Sequence, residues 1–314
     1  MRVWHCLEPL PYDDKQLVLA LGNFDGMHRG HQDLLRKMVS FARQEGKVPA
    51  VFLFHPHPQN FLHPDNGPKL LLDLDKKLEL LAGLGIEAVF VIPFDSQMAA
   101  LDAGDFVSTI LVKKLRAASV FVGFNYRFGR RALGTPEQLV SLGKQHGFSV
   151  TVIPPVFIAG TLVSSTSIRA ALDTGDIDQA RQLLGYWPTI RGIVVQGDRR
   201  GRQIGFPTAN VATAGPLLVP CAAVYAGSAR IAGSCYTTVL NIGFRPTFVD
   251  SQERVIEAHL LNFQGSAYGE DIEIEIYRRL RWEQRFDSAE ALVLQINKDI
   301  EEAVAVSAWA GVRC

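Results

Sequence analysis

Short apolar runs alternate with longer stretches of helical periodicity through the first half of the chain. The apolar runs have the length of strands, and they lie at residues 16–21, 48–54, 87–94, 119–123 and 148–153. Continuous apolarity is typical of strands that are covered on both faces, as in a parallel sheet. The runs therefore predict parallel strands with helices packed against both faces of the sheet.

Helices are predicted in the intervals between these runs. The apolar stripe over residues 31–45 consists of Leu34, Leu35, Met38, Val39 and Ala42. Leucines recur at the same helical spacing over residues 73–84, and Gly85 ends that stretch. The threonine–proline pair at 135–136 is typical of a helix start, and Gly147 of a helix end. Repeated strand–helix alternation predicts an open, doubly wound α/β sheet, which binds ligands at the carboxyl ends of its strands.

The pattern changes after residue 185. Strand-like segments separated by Gly and Pro turns follow, at residues 189–196, 222–230, 234–240, 255–263 and 271–281. They predict a compact antiparallel barrel. Asp287 and Glu290 have the spacing of a capping box, which predicts the start of a terminal helix. We therefore expect an α/β domain over residues 1–185 and a β-barrel domain over residues 186–314.

Composition and charge narrow the range of partners. The chain of 314 residues carries 32 Lys+Arg and 32 Asp+Glu, so it lacks the basic surplus of a non-specific nucleic-acid binder. The N-terminus does not read as a secretory signal, and no apolar run has the length of a membrane span. The four cysteines form no CxxC pair that would indicate a zinc site. We expect a cytoplasmic protein with no nucleic-acid or membrane partner.

A glycine-rich turn follows the first apolar run and precedes the first predicted helix. It reads Gly22-Asn23-Phe24-Asp25-Gly26-Met27-His28-Arg29-Gly30-His31. Free backbone N–H groups and the positive end of the helix dipole favour phosphate at such a turn, and glycines let the backbone approach a nucleotide closely. His28 and His31 are three residues apart and can face the same phosphates. Ordinary turn glycines with surface histidines are the alternative, and a metal site would need a third ligand that is not obvious nearby.

The HxGH pattern at residues 28–31 resembles the signature of the nucleotidyltransferase superfamily. Members of this superfamily attach a nucleoside monophosphate to an acceptor and release pyrophosphate. The segment 164–169 resembles the superfamily's ISSTxxR motif, and its hydroxyls, helix N–H groups and Arg169 could bind the β- and γ-phosphates of ATP. The loop 123–129 follows a predicted strand, where a ligand loop is expected.

A second group of candidate residues lies near the start of the predicted barrel. Glycines and an arginine that could surround phosphates are Gly197, Gly201, Arg202 and Gly205. Thr208 offers a hydroxyl suited to Mg²⁺, and Asn210 an amide suited to the same ion or to phosphate. Glu257 lies on a strand otherwise rich in apolar residues. Such a Glu is usually solvent-facing, but beside a phosphate loop it becomes a candidate general base.

The whole chain resembles the bacterial bifunctional FAD synthetases, in which an FMN adenylyltransferase is joined to a riboflavin kinase. The matching segments are GNFDGMHRGHQ, GFNYRFG and SSTSIR in the first half, and GRQIGFPTAN, NIGFRPTF, IEAHLLNF and Arg281-x-Glu283-x-x-Phe286 in the second. The resemblance implies a Rossmann-like nucleotidyltransferase α/β domain over residues 1–185. It also implies an antiparallel β-barrel riboflavin kinase domain with a terminal helix over residues 186–314.

The resemblance further implies that the chain phosphorylates riboflavin to FMN with ATP, then adenylylates FMN to FAD and pyrophosphate, with Mg²⁺. The catalytic residues would be His28, His31, Arg169 and Glu257. ATP in the adenylyltransferase would contact Gly22, Asn23, Phe24, Gly30, Asn125, Ser164, Ser165 and Thr166. ATP in the kinase would contact Gly197, Gly201, Arg202, Gly205, Thr208 and Asn210, with Thr208 and Asn210 holding the metal. The flavin would be bordered by Arg281 and Glu283, and the protein would be a monomer or a weak homo-oligomer acting on small molecules.

Three alternatives compete with this interpretation. A different nucleotidyltransferase accounts for HxGH but not for the barrel motifs. A non-catalytic flavin-binding protein accounts for the scaffold but not for the full set of catalytic side chains. The third alternative is an enzyme that has kept only one of the two activities. Asn125 and Ser167 depart from the residues common in the family's adenylyltransferase half, so adenylylation is the activity that such an enzyme would have lost.

Overall fold

The computed structural model describes residues 1–7, 16–197, 201, 204–213, 215–244 and 254–311. These residues form two compact units. The first consists of Met1–Pro68 and Leu74–Val163, and the second of Lys69–Asp73 and Ser164–Cys314. The residues just before position 186 therefore group with the second unit. The boundary between residues 185 and 186, expected as the division between two activities, stays a prediction.

A six-stranded parallel sheet forms the centre of the first unit. Its strands are β1 (Arg2–Trp4), β2 (Leu17–Leu21), β3 (Val48–Phe54), β4 (Ala88–Ile92), β5 (Ala117–Gly123) and β6 (Ser149–Ile153). Their order is β1-β4-β3-β2-β5-β6, and every pairing is parallel. The chain runs outward from β2 in one direction and from β5 in the other, so the topological switch point lies between these two strands. This is where a doubly wound sheet binds its ligands.

Helices flank this sheet. They are α1 (Arg29–Gln44), α2 (Pro58–Leu62), α3 (Leu74–Gly83), α4 (Ser96–Ala100), α5 (Ala103–Asp105), a π-helical segment (Phe106–Lys114), a 3₁₀ turn (Arg130–Ala132) and α6 (Pro136–His146). All five residues of the stripe predicted over 31–45 are buried in α1, because an amphipathic helix turns its apolar stripe toward the sheet. The Thr135 side chain accepts a hydrogen bond from the Gln138 N–H and caps α6, as predicted. A short antiparallel pair, β7 (Phe157–Ile158) and β8 (Thr161–Leu162), follows β6.

The second unit is a closed antiparallel barrel with helices against it. Its elements are α7 (Ser165–Asp173), α8 (Ile177–Leu184), β9 (Thr189–Val195), β10 (Ala209–Thr213), β11 (Ala223–Ile231), β12 (Ser234–Phe244), β13 (Arg254–Leu260), β14 (Asp271–Trp282) and α9 (Ala289–Trp309). The barrel closes in the order β10-β13-β12-β11-β14-β9. The terminal helix packs Ala303 and Val306 into a core with Val224, Ala226 and Tyr277. The predicted barrel and terminal helix are confirmed.

Three local predictions are incomplete or wrong. Strand β1 was not predicted, because three residues carry too little pattern to be recognised. Strand β10 was not predicted either, because its five residues include polar Asn210 and Thr213 and follow a turn-rich segment. The residue that caps α9 is Ser288, whose side chain accepts from the Ala291 N–H, rather than Asp287. Ser288 has the extended backbone of an N-cap, and Asp287 lies one residue too early to reach the first free N–H groups of the helix.

In the described part of the chain, none of the helices is both long and apolar enough to span a bilayer. Within the same residues, His, Cys, Asp and Glu side chains nowhere gather in a group of three or more that could hold a metal ion.

Candidate active sites

The glycine-rich turn after β2 leads directly into α1, and its backbone is unusual. Gly26 has a φ of 82°, and Phe24 and Met27 also have positive φ values, of 50° and 39°. Helix α1 begins after His28, whose Nδ1 accepts a hydrogen bond from the His31 N–H at 3.2 Å. Because Nδ1 is the acceptor, the proton of neutral His28 is on Nε2. A Cβ at Gly30 would lie 3.2 Å from His28 Nδ1, so glycine lets the imidazole lie close to the helix backbone.

The two histidines of the HxGH pattern stack on each other. Their ring centroids are 3.6 Å apart and their planes differ by 14°. Burial lowers the pKa of His28 to about 4. The pKa of His31 is also well below its usual value, first because of burial and then because of the charges of His28 and Lys77. Both imidazoles are therefore neutral near pH 7, so they can act as N–H donors but not as cations.

Side chains from two other segments contact the turn. The Lys77 ammonium donates a hydrogen bond to the Asn23 carbonyl oxygen at 2.8 Å. Asn23 Nδ2 and His57 Nε2 are 3.4 Å apart. Phe24 packs beneath Gly22 and meets the His31 ring edge-on, with centroids 5.3 Å apart. Sequence reasoning missed Lys77 and His57, since a lysine on a helix and a histidine in a loop carry no signal of their own.

Three neighbouring parallel strands bring their carboxyl-terminal loops to one edge of the sheet. The turn after β2 lies between the loop after β3, which carries His57, and the loop after β5, which carries Asn125. Asn125 is exposed, and the Tyr126 N–H donates to the Gly123 carbonyl to close the turn. The structure thus brings together the predicted residues of the Gly22–His31 turn and Asn125 at the switch point.

The segment 164–169 forms the start of a helix, as predicted, and belongs to the second unit. Ser164 is the N-cap of α7: its Oγ accepts from the Ser167 N–H at 3.1 Å and shares a 2.9 Å hydrogen bond with Ser167 Oγ. Ser165 and Thr166 occupy the first turn. Arg169 Nε donates to the Lys69 carbonyl oxygen at 2.8 Å.

In the barrel, the candidate base and the candidate metal ligand share one row of residues. Glu257 on β13 lies opposite Asn210 on β10 and opposite Asn241 on β12. Residues directly opposed in antiparallel strands project from the same face of the sheet. The row therefore sets a carboxylate between two neutral amides. Asn241 begins the NIGFRPTF motif, but the sequence predicted no role for it.

Two glycines of the predicted phosphate loop are required by close contacts. A Cβ at Gly197 would overlap the side-chain amide of Asn210. A Cβ at Gly201 would overlap the Phe206 carbonyl oxygen and lie 3.5 Å from Thr208 Oγ1. Gly205 has a φ of 90°, which favours glycine. Arg202, the remaining predicted residue of this loop, lies outside the described residues.

The chemistry of Asn210 and Thr208 fits a hard cation. Asn210 is 7% exposed, and its buried Oδ1 has no hydrogen-bond partner within the described structure. An unsatisfied buried acceptor costs about 1–3 kcal/mol, so a ligand that satisfies it is expected. Amide and hydroxyl oxygens are ligands that Mg²⁺ accepts.

His259 holds the backbone just before Thr208. It lies two residues after Glu257 on β13, and its Nδ1 donates to the Pro207 carbonyl oxygen at 2.8 Å. The Phe206 ring meets the imidazole edge-on, with centroids 5.7 Å apart. His259 was not predicted as a site residue, because only the fold brings β13 next to this loop.

Glu283 and Arg281, expected to border a flavin, have different surroundings. The Glu283 carboxylate lies against Gly243, which is two residues from Asn241 on β12. Burial raises the pKa of Glu283; the charge of Arg281 lowers it and that of Glu257 raises it further. The Arg281 guanidinium is paired with the buried carboxylate of Asp299 on α9, with Nη2 2.8 Å from Oδ2. Flavin contacts of both residues stay predictions.

Comparison with known proteins places the chain in one family. A family model described as FAD synthetase matches residues 10–167, and one described as riboflavin kinase matches residues 184–307. A bifunctional riboflavin kinase/FMN adenylyltransferase from Listeria monocytogenes is 37% identical over 292 residues, which cover 93% of this chain and 92% of the relative. The chain belongs to the bifunctional riboflavin kinase/FMN adenylyltransferase family.

Further members of the family show the same extent of similarity. The Bacillus subtilis relative is 36% identical over 97% of this chain and 98% of its own, and the Escherichia coli K12 relative is 38% identical over 90% of each. A crystal structure from Streptococcus pneumoniae, described as a macrolide-efflux protein, has a TM-score of 0.85 with 32% identity. It covers 96% of this chain and 97% of its own, so the similarity extends over both units.

Proposed function

We propose that this chain makes FAD from riboflavin in two ATP-dependent steps at two separate sites. Riboflavin is phosphorylated to FMN at the barrel, within residues 186–314, and FMN is adenylylated to FAD and pyrophosphate within residues 1–185. The observation that carries the proposal is the match of both halves to the two family models. A nucleotidyltransferase of another kind would leave the match over residues 184–307 unexplained.

In the kinase step, Glu257 acts as the general base. It accepts the proton of the riboflavin 5′-hydroxyl as that oxygen bonds to the γ-phosphorus of ATP and ADP leaves. The position of Glu257 between Asn210 and Asn241 supports this role, because neither facing residue is an Arg or Lys that would pair with the carboxylate. Phosphoryl transfer needs in-line positioning and charge neutralisation more than covalent help. Gly197, Gly201 and Gly205, with Arg202, form the phosphate loop.

Mg²⁺ is the metal that we assign to this site. When bound, it neutralises charge on the transferring phosphoryl group. Thr208 Oγ1 and Asn210 Oδ1 are its protein ligands in this proposal. The partnerless buried oxygen of Asn210 supports the assignment.

In the adenylylation step, a phosphate oxygen of FMN attacks the α-phosphorus of ATP, and pyrophosphate leaves. The FMN phosphate is already an anion, so no strong base is needed; the barrier is charge crowding between phosphates. Neutral His28 and His31 donate N–H hydrogen bonds to the phosphates, together with the α1 N-terminus and Arg169. Gly22, Asn23, Phe24, Gly30, Asn125, Ser164, Ser165 and Thr166 complete the proposed ATP site.

We propose that riboflavin lies beside Arg281 and Glu283 in the kinase step. We also propose that the protein works in the cytoplasm on small molecules, as a monomer or a weak homo-oligomer. The balance of 32 Lys+Arg against 32 Asp+Glu supports the absence of a nucleic-acid partner.

Chromatography of flavins tests the proposal. The purified protein, incubated with riboflavin, ATP and Mg²⁺, should form FMN first and FAD second, and supplied FMN should give FAD and pyrophosphate. Replacing Mg²⁺ by excess EDTA should stop FMN formation. Absence of either product from the wild-type protein would contradict the corresponding half of the proposal.

A further inference from the structure

Lys77 is buried at the glycine-rich turn although it comes from a distant helix. It lies on α3 and is 7% exposed. Its ammonium reaches across 54 positions of sequence to donate to the Asn23 carbonyl oxygen at 2.8 Å. Burying a lysine is costly unless its charge is compensated or used at the buried position.

The histidines of the turn supply no positive charge. His28 and His31 are neutral near pH 7, as described above, and the turn buries the side chain of Asp25, which is 4% exposed. ATP would add several negative charges to the same place. The positive charge of Lys77 acts on the Gly22–His31 turn, since it helps to lower the pKa of His31. It also helps to lower the pKa of His55, which lies in the loop after β3. The ammonium is thus close to both the HxGH pair and the neighbouring loop.

We propose that Lys77 is a further functional residue of the adenylyltransferase site: its ammonium supplies fixed positive charge at the Asn23 turn, against which the phosphates of ATP are held. This inference rests on the proposed adenylyltransferase function. The hydrogen bond to Asn23 keeps the ammonium in place before ATP binds, so that little reorganisation is needed when the charge of the phosphates arrives. Adenylylation should therefore depend on the charge of residue 77 and not only on its hydrogen bond.

Substitutions at this residue can separate charge from hydrogen bonding. Lys77→Gln keeps an N–H donor, on a side chain one bond shorter, but has no charge; Lys77→Met removes both, and Lys77→Arg keeps both. Lys76→Gln is the matched control, because Lys76 is the adjacent residue, is 9% exposed, and pairs with Glu79 at 2.9 Å. Steady-state kinetics of FAD formation from FMN, with ATP varied, give kcat and KM for each protein. FMN formation from riboflavin is measured on the same samples.

Loss of a charged partner of phosphate should lower kcat/KM for adenylylation about 10- to 100-fold in both Lys77→Gln and Lys77→Met. Lys77→Arg should stay within about fivefold of wild type and Lys76→Gln within about twofold, with riboflavin phosphorylation unchanged in all four. The inference is overturned if Lys77→Gln matches wild type while Lys77→Met loses activity, since the hydrogen bond alone would then matter. If wild-type protein makes no FAD, the proposed function itself has failed.

A measurement on wild-type protein keeps the inference testable if the Lys77 variants lose activity because they do not fold. In uniformly ¹⁵N-labelled protein, the Lys77 side-chain resonance, identified by its loss in Lys77→Arg, should shift on titration with Mg²⁺-pyrophosphate, a product of adenylylation alone. Shifts confined to the amides of the Gly22–His31 turn, with Lys77 unmoved at saturation, would overturn the inference.

Discussion

Glu257 faces Asn210 directly across the antiparallel ladder between β10 and β13. The proposed base and a proposed metal ligand are therefore neighbours on one face of the barrel, although 47 positions separate them in the chain. The side-chain oxygen of Asn210 lacks a partner in the described structure. A carboxylate beside an oxygen that is ready to hold a cation is an arrangement suited to phosphoryl transfer to a hydroxyl group.

Replacing Glu257 should separate the two activities. Glu257→Gln keeps the size of the side chain but cannot accept the riboflavin proton, so FMN formation should fall about 10²- to 10⁴-fold. FAD formation from supplied FMN should be unchanged, because it occurs at the other site. Chromatography of flavins measures both rates, and Glu301→Gln, an exposed carboxylate on α9, is the control. Retention of riboflavin phosphorylation would remove Glu257 from the role of base.

His28→Asn should have the opposite effect. Asparagine is a good N-cap, so it can still accept the His31 N–H and preserve the start of α1. It cannot replace the Nε2–H donor, and we expect FAD formation to fall about 10²- to 10³-fold with FMN formation unchanged. His146→Asn, at an exposed position near the end of α6, serves as the control. A folded His28→Asn protein that had lost both activities would contradict the assignment of two sites.

Burial of the stacked histidines should make the stability of the first unit depend on pH. The pKa of His28 is lowered from 6.5 to about 4 in the folded state. Between these values the unfolded chain binds a proton that the folded chain does not. The free energy of unfolding should therefore decrease as pH falls from 6.5 toward 4, by at most about 1.4 kcal/mol per pH unit for each histidine. Above pH 6.5 this contribution is complete and constant.

Urea denaturation at pH 5, 6 and 7 measures this dependence. His28→Asn should show a smaller decrease in unfolding free energy between pH 7 and pH 5 than wild type. Equal decreases in the two proteins would show that His28 is not buried in its neutral form.

The hydrogen bond from His259 to Pro207 should matter for binding of the metal–nucleotide complex in the kinase. His259→Leu removes the donor, and the KM for MgATP in riboflavin phosphorylation should rise about tenfold. His259→Asn should restore most of the loss, because an asparagine Nδ2 can occupy the position of the histidine Nδ1. FAD formation from FMN is the control, because it occurs at the adenylyltransferase site, which the substitutions at residue 259 do not touch. If the leucine and asparagine variants behave alike, the hydrogen bond does not position Thr208.

The spacing of apolar residues was enough to predict the strands and helices in which that spacing is regular. The strand predicted over residues 48–54 is β3 with the same bounds, and the stripe predicted for α1 is buried at all five positions. Short or polar elements, such as β1 and β10, carry too little pattern and depend on pairing with strands that lie far away in sequence. In α3 the sequence predicted a buried stripe of four leucines, but only Leu81 is buried and the other three are half-buried. The fold buries Lys76 and Lys77 instead, and Lys77 contacts the Asn23 turn.

By itself, the sequence determined the alternation of the strongly patterned strands and helices, the change from an α/β unit to a barrel, and the motifs that indicate two phosphate sites. These depend on local properties, namely the spacing of apolar residues and the conformational preferences of glycine, proline and capping residues. Only the tertiary structure decided that His28 is buried, that His28 and His31 are both neutral, that Lys77 meets the Asn23 turn, and that Asn210, Glu257 and Asn241 form one row. Charge state and hydrogen-bond partners depend on which distant segments pack together and exclude water, and no local pattern encodes that.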